Sequence, residues 1–214
     1  SLAALQHRNF RLLWLGTLLS MGGSMMRQAA LLWQVSLLVP AEQKALALGG
    51  VGLVRFVPLL ICSLFAGVVA DALDRRRVML VTNSVLGVVS ALLALLTWSG
   101  QATLGGVYAL AALTAAVGTF DNPARNALFP TLVPREALPN AISLNSILFQ
   151  AASVLGPLIG GVLIATHGVA LVYALDAVSF LFLVASVRAL KIPAPEATAS
   201  RARCSVITSS PARE

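Results

Sequence analysis

Long runs of apolar residues, broken by short polar turns, are the dominant pattern of this 214-residue chain. A membrane-spanning helix needs about 20 mostly apolar residues, and six segments reach that length. The six segments are Leu12–Leu38, Leu46–Ala70, Val78–Trp98, Leu104–Asn122, Leu138–Ala165 and Val169–Leu190. Because backbone polar groups in lipid must be bonded within their own segment, we predict an all-α membrane protein with six transmembrane helices.

The composition supports a membrane protein. Hydrophobic residues make up 58% of the chain and charged residues 11%, with a mean hydropathy of +0.87. Soluble globular domains carry about a quarter of charged residues. The net charge of +7 does not indicate nucleic-acid binding, because the arginines lie on no common polar face and no aromatic-basic pattern accompanies them. We therefore expect a lipid bilayer as partner and no nucleic acid.

The positions of Lys and Arg predict the orientation, since cytoplasmic loops are enriched in both. With a cytoplasmic N-terminus, only Lys44 falls on the opposite side. The cytoplasmic side receives Arg8, Arg11, Arg75, Arg76, Arg77, Arg125, Arg135, Arg188, Lys191, Arg201, Arg203 and Arg213. We predict a multi-pass protein of the cell (inner) membrane with both termini cytoplasmic. Residues 1–195 would form the six-helix unit, and residues 196–214, which lack periodicity, a disordered cytoplasmic tail.

The first predicted helix carries one small and polar stripe on an otherwise apolar surface. Its members recur at helical spacing: Gly16, Ser20, Gly23, Ser24, Arg27 and Gln34. Close helix packing through small residues is one explanation. Arg27 favours another, because an arginine deep in lipid needs a partner or a wet cavity. Arg55 and Asp176 lie at a depth similar to that of Arg27, so the three side chains form either a structural ion pair or a substrate and coupling site. The third predicted helix is almost wholly apolar, and we expect it to be peripheral and lipid-facing.

Helices 4 and 5 carry further polar positions. Helix 4 aligns Thr114, Gly118, Asp121 and Arg125, and Asp121 can pair with Arg125 along the helix. Pro123 and Pro130 should bend or end that helix, so Asp121, Asn122, Pro123 and Arg125 form a charged exit towards the cytoplasm. Helix 5 combines a polar stripe (Ser146, Gln150, Ser153) with small residues (Ala152, Gly156, Gly160, Gly161) and Pro157, which suit either close packing or gating. The candidate substrate path is thus Ser20, Ser24, Arg27, Arg55, Gln150 and Asp176.

No catalytic or cofactor motif is present. The chain lacks His-Glu-x-x-His, Gly-x-Ser-x-Gly and a phosphate-binding glycine loop followed by Lys and Ser or Thr. Its two cysteines, Cys62 and Cys204, have no metal-ligand spacing. We expect no enzyme activity, no cofactor and no metal site. Polar-striped helices around a cavity are typical of secondary carriers.

The stretch Gly67-Val-Val-Ala-Asp71-Ala-Leu-Asp74-Arg75-Arg76-Arg77 resembles the loop between helices 2 and 3 of the major facilitator superfamily. It matches at Gly67, Asp71, Arg75 and Arg76 and departs at Ala72 and Asp74. Two further segments, from Asp121 to Ala141 and from Leu5 to Trp14, resemble the enterobactin-exporter-like branch. The segment Ala152-Ser-Val-Leu-Gly156-Pro157-Leu-Ile-Gly160-Gly161 is similar to the helix 5 motif of exporters that work by antiport. The resemblance covers about Leu5 to Pro195.

The resemblance implies a six-helix half of the superfamily bundle, built as a 3+3 inverted repeat. Helices 1 and 4 would line the path, helices 2 and 5 would gate it, and helices 3 and 6 would pack outside. Gly67, Asp71 and Arg75–Arg77 would form the inner gate, with Asp71 pairing to a basic group such as Arg125. The implied function is efflux of a small molecule by proton antiport, with Asp121 or Asp176 as the titratable carboxylate. Arg27 and Arg55 favour an anionic or siderophore-like substrate.

The number of helices leaves alternatives open, because superfamily members have twelve helices in two halves. The chain is expected to be half-length or truncated, acting as a homodimer or with a missing C-terminal half. The rival interpretation is a non-transporting six-helix scaffold or a decayed truncated carrier.

Overall fold

The computed structural model describes residues 8–72, 74–128, 134 and 137–189. This part of the chain folds into six long α-helices with one 3₁₀ turn, Ala41–Gln43, between the first two. The helices are α1 (Arg8–Leu38), α2 (Lys44–Ala72), α3 (Arg75–Trp98), α4 (Leu104–Leu128), α5 (Leu138–His167) and α6 (Val169–Ala189). The predicted all-α class is confirmed, and most helix ends fall within a few residues of the prediction. The predicted tail at 196–214 lies outside the described residues.

Five of the described helices are both long and apolar enough to cross a membrane. The helix that does not reach this hydropathy is α1, although its 31 residues exceed the required length. Its polar stripe lowers the average, since Arg27, Gln28 and Gln34 interrupt the apolar run. A polar spanning helix needs other helices around it, and α1 packs against both α5 and α6.

Local sequence signals explain the boundary between α2 and α3. Asp74 caps α3, because its carboxylate accepts a hydrogen bond from the Arg76 backbone N–H at 3.0 Å. The Arg76 side chain then reaches the last turn of α6, where Nε donates to the Val187 carbonyl at 3.2 Å and Nη2 to the Arg188 carbonyl at 2.9 Å. A cation at a helix C-terminus is stabilised by the helix dipole. Arg76 thereby fixes the start of α3 against the end of α6.

Proline does not end α4, and the prediction that this helix stops at Asn122 is wrong. The helix continues through Pro123 to Leu128. In the same way α5 runs through Pro157 and α2 through Pro58. Proline removes one backbone N–H, but long helices packed against neighbours tolerate that loss in a membrane. Pro130, the second proline of the predicted exit, lies outside the described residues.

The prediction that helix 3 is peripheral and lipid-facing is also wrong. In α3, 56% of the most apolar stretch is buried, against 11% in α2. It packs against α4 and α6 through a face that includes the buried Thr82, Asn83 and Ser90. Three polar side chains among the 24 residues of α3 lower its average hydropathy only slightly. The average hydropathy therefore hid a polar inner face.

Glycines allow α1 to approach two neighbours closely. A Cβ at Gly23 would lie 2.7 Å from Asp176 Oδ1 and 2.6 Å from Ser179 Oγ, both on α6. On the α5 side, a Cβ at Gly156 would lie 2.5 Å from Met25 Cβ, and one at Gly160 would lie 3.2 Å from Met26 Cα. Small residues at these contacts bring the helix backbones together, which is how helices associate in lipid.

We expect Gly156→Ala to destabilise the protein and Gly161→Ala to leave its stability unchanged or slightly raised. The added methyl at position 156 meets α1, and overpacking of this kind costs about 1–3 kcal/mol. Nothing lies within 4 Å of a Cβ built at Gly161, so alanine there only improves helix propensity. Thermal unfolding of the two purified variants would measure the difference. Equal midpoints would show that Gly156 is not a packing position.

Candidate functional site

A cavity of about 740 Å³ lies between α1, α2 and α4. We call it the arginine cavity, because the residues that line it include Arg27, Arg55 and Arg125. Other lining residues are Ser20, Ser24, Gln28, Thr114, Gly118, Asp121, Asn122, Phe56 and Phe149. Its volume falls within the range typical of small-molecule sites.

Two side chains, Asp176 and Thr114, fix the position of Arg27 in this cavity. Its Nε donates to Asp176 Oδ2 at 2.6 Å, and its Nη1 donates to Thr114 Oγ1 at 3.4 Å. Asp176 is fully buried and also accepts from Ser90 Oγ at 2.5 Å. The carboxylate belongs to α6, the hydroxyls to α3 and α4, and the guanidinium to α1. The ion pair and its two hydroxyl partners therefore connect four helices. The contacts use Nε and Nη1 of Arg27 and leave Nη2 out.

A second buried carboxylate, Asp121, lies nearer the end of α4. Its Oδ2 accepts from Arg125 Nη2 at 2.6 Å, and its Oδ1 accepts from Thr82 Oγ1 at 2.8 Å and Asn83 Nδ2 at 2.5 Å. The structure thus contains the pairing along helix 4 that the spacing suggested. The negative charge of Asp121 compensates the positive charge of Arg125, so the pair is locally neutral.

Arg55 has no acidic partner among the described residues. The hydrogen bond that it makes in the described part is to Gln28, whose Oε1 lies 3.5 Å from Nη2, at the limit of a hydrogen bond. Three guanidinium groups thus line the arginine cavity, while Asp121 and the buried Asp176 supply two carboxylates. The excess positive charge comes from Arg55.

A second cavity of about 560 Å³ adjoins the first between α1, α4 and α5. We call it the amide cavity, because four of the nine described residues that line it carry carboxamides. The lining residues are Thr17, Met21, Asn122, Arg125, Asn126, Asn145, Ser146, Phe149 and Gln150. Four of them, Met21, Asn122, Arg125 and Phe149, also line the arginine cavity. The two cavities therefore share one wall and form a continuous polar region.

The residues of the predicted substrate path do not all meet in one place. Ser20, Ser24, Arg27 and Arg55 line the arginine cavity, while Gln150 lines the amide cavity. Asp176 lines neither and supports Arg27 from behind. Of the charged exit, Asp121, Asn122 and Arg125 line the cavity, and Pro123 does not.

The helix 5 motif separates into packing and exposed positions. Gly156 and Gly160 contact α1, whereas Pro157 and Gly161 are exposed. In the predicted inner gate, Arg75 and Arg77 are exposed and Arg76 binds the end of α6. The side chains of Gly67 and Asp71 lie outside the described residues, so the predicted partner of Asp71 stays a prediction. Within the described part, Arg125 pairs with Asp121.

Sequence reasoning missed two sets of polar contacts. The first is the set of α3 donors, Thr82, Asn83 and Ser90, which bind the two buried carboxylates. Thr82 and Ser90 are eight residues apart, which places them on one helix face, and this spacing could have revealed the face. The second is a chain from Tyr173 through Gln34 to Thr97, with hydrogen bonds of 2.7 and 2.8 Å. Residues distant in sequence form this chain, so no local pattern indicates it.

A six-helix membrane bundle with a polar cavity between its helices is the build of one half of a secondary carrier. Over residues 1–208 the chain matches the family model described as transmembrane secretion effector. The chain belongs to this family, within the major facilitator superfamily, and corresponds to the N-terminal half of its transporters.

Curated relatives agree with this assignment. The chain is 31% identical over 146 residues to the staphyloferrin A transporter of Staphylococcus aureus, covering 68% of this chain and 36% of that protein. It is 32% identical over 145 residues to the enterobactin exporter EntS of Citrobacter koseri, covering 68% and 32%. It is 36% identical over 117 residues to the multidrug efflux pump Tap of Mycobacterium bovis, covering 52% and 28%. The chain spans about a third of the length of these relatives, and no solved structure matches it.

We expect Asp176→Asn to destabilise the fold, because Arg27 would keep its buried charge without a counterion. Breaking a buried ion pair on one side costs roughly 3–5 kcal/mol. The matched control is the double variant Arg27→Met with Asp176→Leu, which removes both charges and should recover most of the lost stability. Thermal unfolding of the single and double variants measures this. A single variant as stable as the original protein would contradict the role of the pair.

Proposed function

We propose that this six-helix unit is the N-terminal half of an efflux carrier for a small organic anion, and that the anion binds in the arginine cavity. The observation that carries the proposal is Arg55, a guanidinium facing the cavity without an acidic partner in the described part of the chain. A charge inside a membrane protein is costly unless a counterion or water compensates it. A negatively charged cargo would supply that counterion.

Arg27 supports the same cargo. Asp176 and Thr114 hold it by Nε and Nη1, which leaves its Nη2 without a partner among the described residues. The Arg27 side chain is 9% exposed, so the protein does not enclose it completely. Arg27 therefore presents a preorganised donor to the cavity that Arg55 also lines. Two of the relatives are named for staphyloferrin A and enterobactin, which favours a siderophore-like anion.

The apolar faces of α2 and α5 support assembly with a second six-helix unit. Only 11% of the apolar stretch of α2 and 22% of that of α5 are buried. Both helices expose large side chains over most of their length, including Phe56, Leu60, Leu64, Leu155 and Leu158. A second bundle against these faces would close the cavity, and rocking of the two units would alternate access to it. The described arginines near the helix ends, Arg11, Arg75–Arg77 and Arg188, favour an inner membrane orientation with cytoplasmic termini.

For proton coupling, Asp121 fits better than Asp176. Asp121 lines the arginine cavity and is paired to Arg125, whereas Asp176 is fully buried behind Arg27. A coupling carboxylate must exchange its proton with water, and the cavity gives Asp121 that route. Arg125 would then be released or bound as Asp121 gains or loses its proton.

We expect Arg55→Gln to reduce export of an organic anion roughly 10- to 100-fold, because the lost charge-assisted bond contributes about 1.5–3 kcal/mol. The matched control is Arg11→Gln, at an exposed position of α1 outside both cavities. Efflux of citrate from reconstituted vesicles, with and without a proton gradient, would measure both the charge requirement and the coupling. Unchanged citrate efflux in Arg55→Gln would contradict the anion site. No efflux from the original protein would favour a non-transporting scaffold.

A further inference from the structure

The pair of helices α3 and α6 has one covered side and one open side. The two helices pack closely at the Gly87–Phe180 contact, where a Cβ built on the glycine would lie 3.2 Å from Phe180 Cβ. On the inner side, α4 packs against α3 and α1 packs against α6. Since Arg27 of α1 bonds to Thr114 of α4, both covering helices lie on the same side of the pair. The other side therefore borders a groove on the surface of the bundle.

One exposed stripe follows each helix along this groove. On α3 the stripe is formed, at helical spacing, by Arg77, Val81, Ser84 and Val88. On α6 it is formed by Val178, Leu181, Ala185 and Arg188. The valines and the leucine are between 59% and 66% exposed, and the serine hydroxyl donates to its own helix. Each stripe thus has an arginine at one end and a mainly apolar surface along the rest.

Helix geometry places both stripes on the open side, since an α-helix turns by about 100° per residue. On α3, Thr82 bonds to α4 and lies about 140° to one side of the Gly87–Phe180 contact, while Val88 lies about 100° to the other side. On α6, Ser186 meets α1 and lies about 120° to one side of that contact, while Leu181 lies about 100° to the other. Both stripes therefore face away from α1 and α4.

The two stripe arginines lie at the same end of the groove. The Arg76 guanidinium bonds to the carbonyls of Val187 and Arg188, so the first turn of α3 meets the last turn of α6. Arg77 and Arg188 are exposed, and neither side chain has a hydrogen bond or ion pair within the described part of the chain. Asp74 is an acid at this end, but its carboxylate caps α3. The end of the groove is therefore positively charged.

We propose that this groove binds one anionic phospholipid, with the phosphate between Arg77 and Arg188 and the acyl chains along the two stripes. Guanidinium groups bind phosphate oxygens through charge-assisted hydrogen bonds. From Arg77 to Val88 the α3 stripe extends about 16 Å. One leaflet of a bilayer has about 15 Å of hydrocarbon, so the stripe matches the length of the chains.

A second protein bundle is a poorer occupant of this groove than a lipid. The helices with the widest apolar exposure are α2 and α5, of whose apolar stretches 11% and 22% are buried, against 56% in α3 and 44% in α6. A protein partner would cover the wider surface, whereas a lipid needs only a narrow groove with a cationic end. The proposed lipid site shares no wall with the arginine cavity and does not depend on the cargo.

Two lipids with the same chains, dioleoyl phosphatidylglycerol and dioleoyl phosphatidylcholine, would test the role of the headgroup. Native mass spectrometry of the protein purified in detergent would measure how much of each lipid is bound. We expect the anionic lipid to bind roughly 10- to 30-fold more tightly, as two arginines near a membrane surface would give. Glycerol phosphate has the phosphate without the chains, so an excess should not displace the lipid. Equal binding of the two lipids, or displacement by glycerol phosphate, would overturn the proposal.

Arg77→Gln and Arg188→Gln should each weaken phosphatidylglycerol binding about fivefold and leave phosphatidylcholine binding unchanged. The matched control is Arg11→Gln, which removes the same charge from an exposed position of α1 near the same end. The double variant Arg77→Lys with Arg188→Lys keeps both charges and should retain most of the binding. If Arg11→Gln weakens binding as much as the other two glutamine variants, the attraction is diffuse and the site is overturned. Normal binding in Arg77→Gln and Arg188→Gln would overturn it as well.

The apolar part of the site has its own test. Leu181→Ser, in the α6 stripe, should weaken binding of phosphatidylglycerol. Leu158→Ser, at a similarly exposed leucine of α5, should leave it unchanged. Equal effects of the two serine variants would show that the chains have no fixed position, and would contradict a lipid held in the groove.

Discussion

The contact between Arg27 and Asp176 is the constraint on which the rest of the structure depends. An arginine in the middle of a membrane helix requires a counterion, and Asp176 on α6 supplies it at 2.6 Å. Gly23 must then be glycine, since a side chain there would meet the Asp176 carboxylate. Ser90 must lie on the inner face of α3 to bind the same carboxylate. The packing of α1, α3 and α6 follows from one charge pair.

Stability alone does not explain why such a pair is kept. A buried ion pair can often be replaced by apolar residues without loss of stability, because desolvation of the charges offsets their attraction. One carboxylate oxygen of Asp176 also lacks a hydrogen-bond partner in the described part of the chain. What the pair achieves is orientation: Arg27 is fixed by Nε and faces the cavity that Arg55 lines. A preorganised cation in a polar cavity is a binding device, and this is the physical basis of the proposed anion site.

Much of the fold could be predicted from the sequence, because apolar length and arginine position are local signals. Six helices, their approximate ends and the polar stripe of α1 follow from counting residues. The inner face of α3 could not be predicted in this way, since Thr82 and Ser90 become buried only through contacts with α4 and α6. The end of α4 was wrongly predicted for a related reason. Proline usually ends an isolated helix, but α4 is packed against other helices and continues through Pro123.

The candidate site was predictable as a set of residues but not as an arrangement. Depth along the helices placed Arg27, Arg55 and Asp176 in one layer, yet only the packing shows that Asp176 lies behind Arg27 and outside the cavity. The amide cavity joins side chains of α4 and α5 that share no sequence motif. Gly156 and Gly160 belong to a sequence motif that is visible without the structure. The motif suggested a gate, but in the structure both glycines pack against α1.

The arginine cavity should be open to water and positive in potential, and thiol labelling tests both properties without knowledge of the cargo. Ser24 lines the cavity, and Ser24→Cys would place a thiol there. Cys62 and Cys204 would first be changed to serine, so that the new thiol is the one labelled. Its reaction rates with an anionic and a cationic methanethiosulfonate would be compared, each relative to a free thiol. A positive cavity should react faster with the anionic reagent. Equal rates, or faster reaction of the cationic reagent, would contradict it.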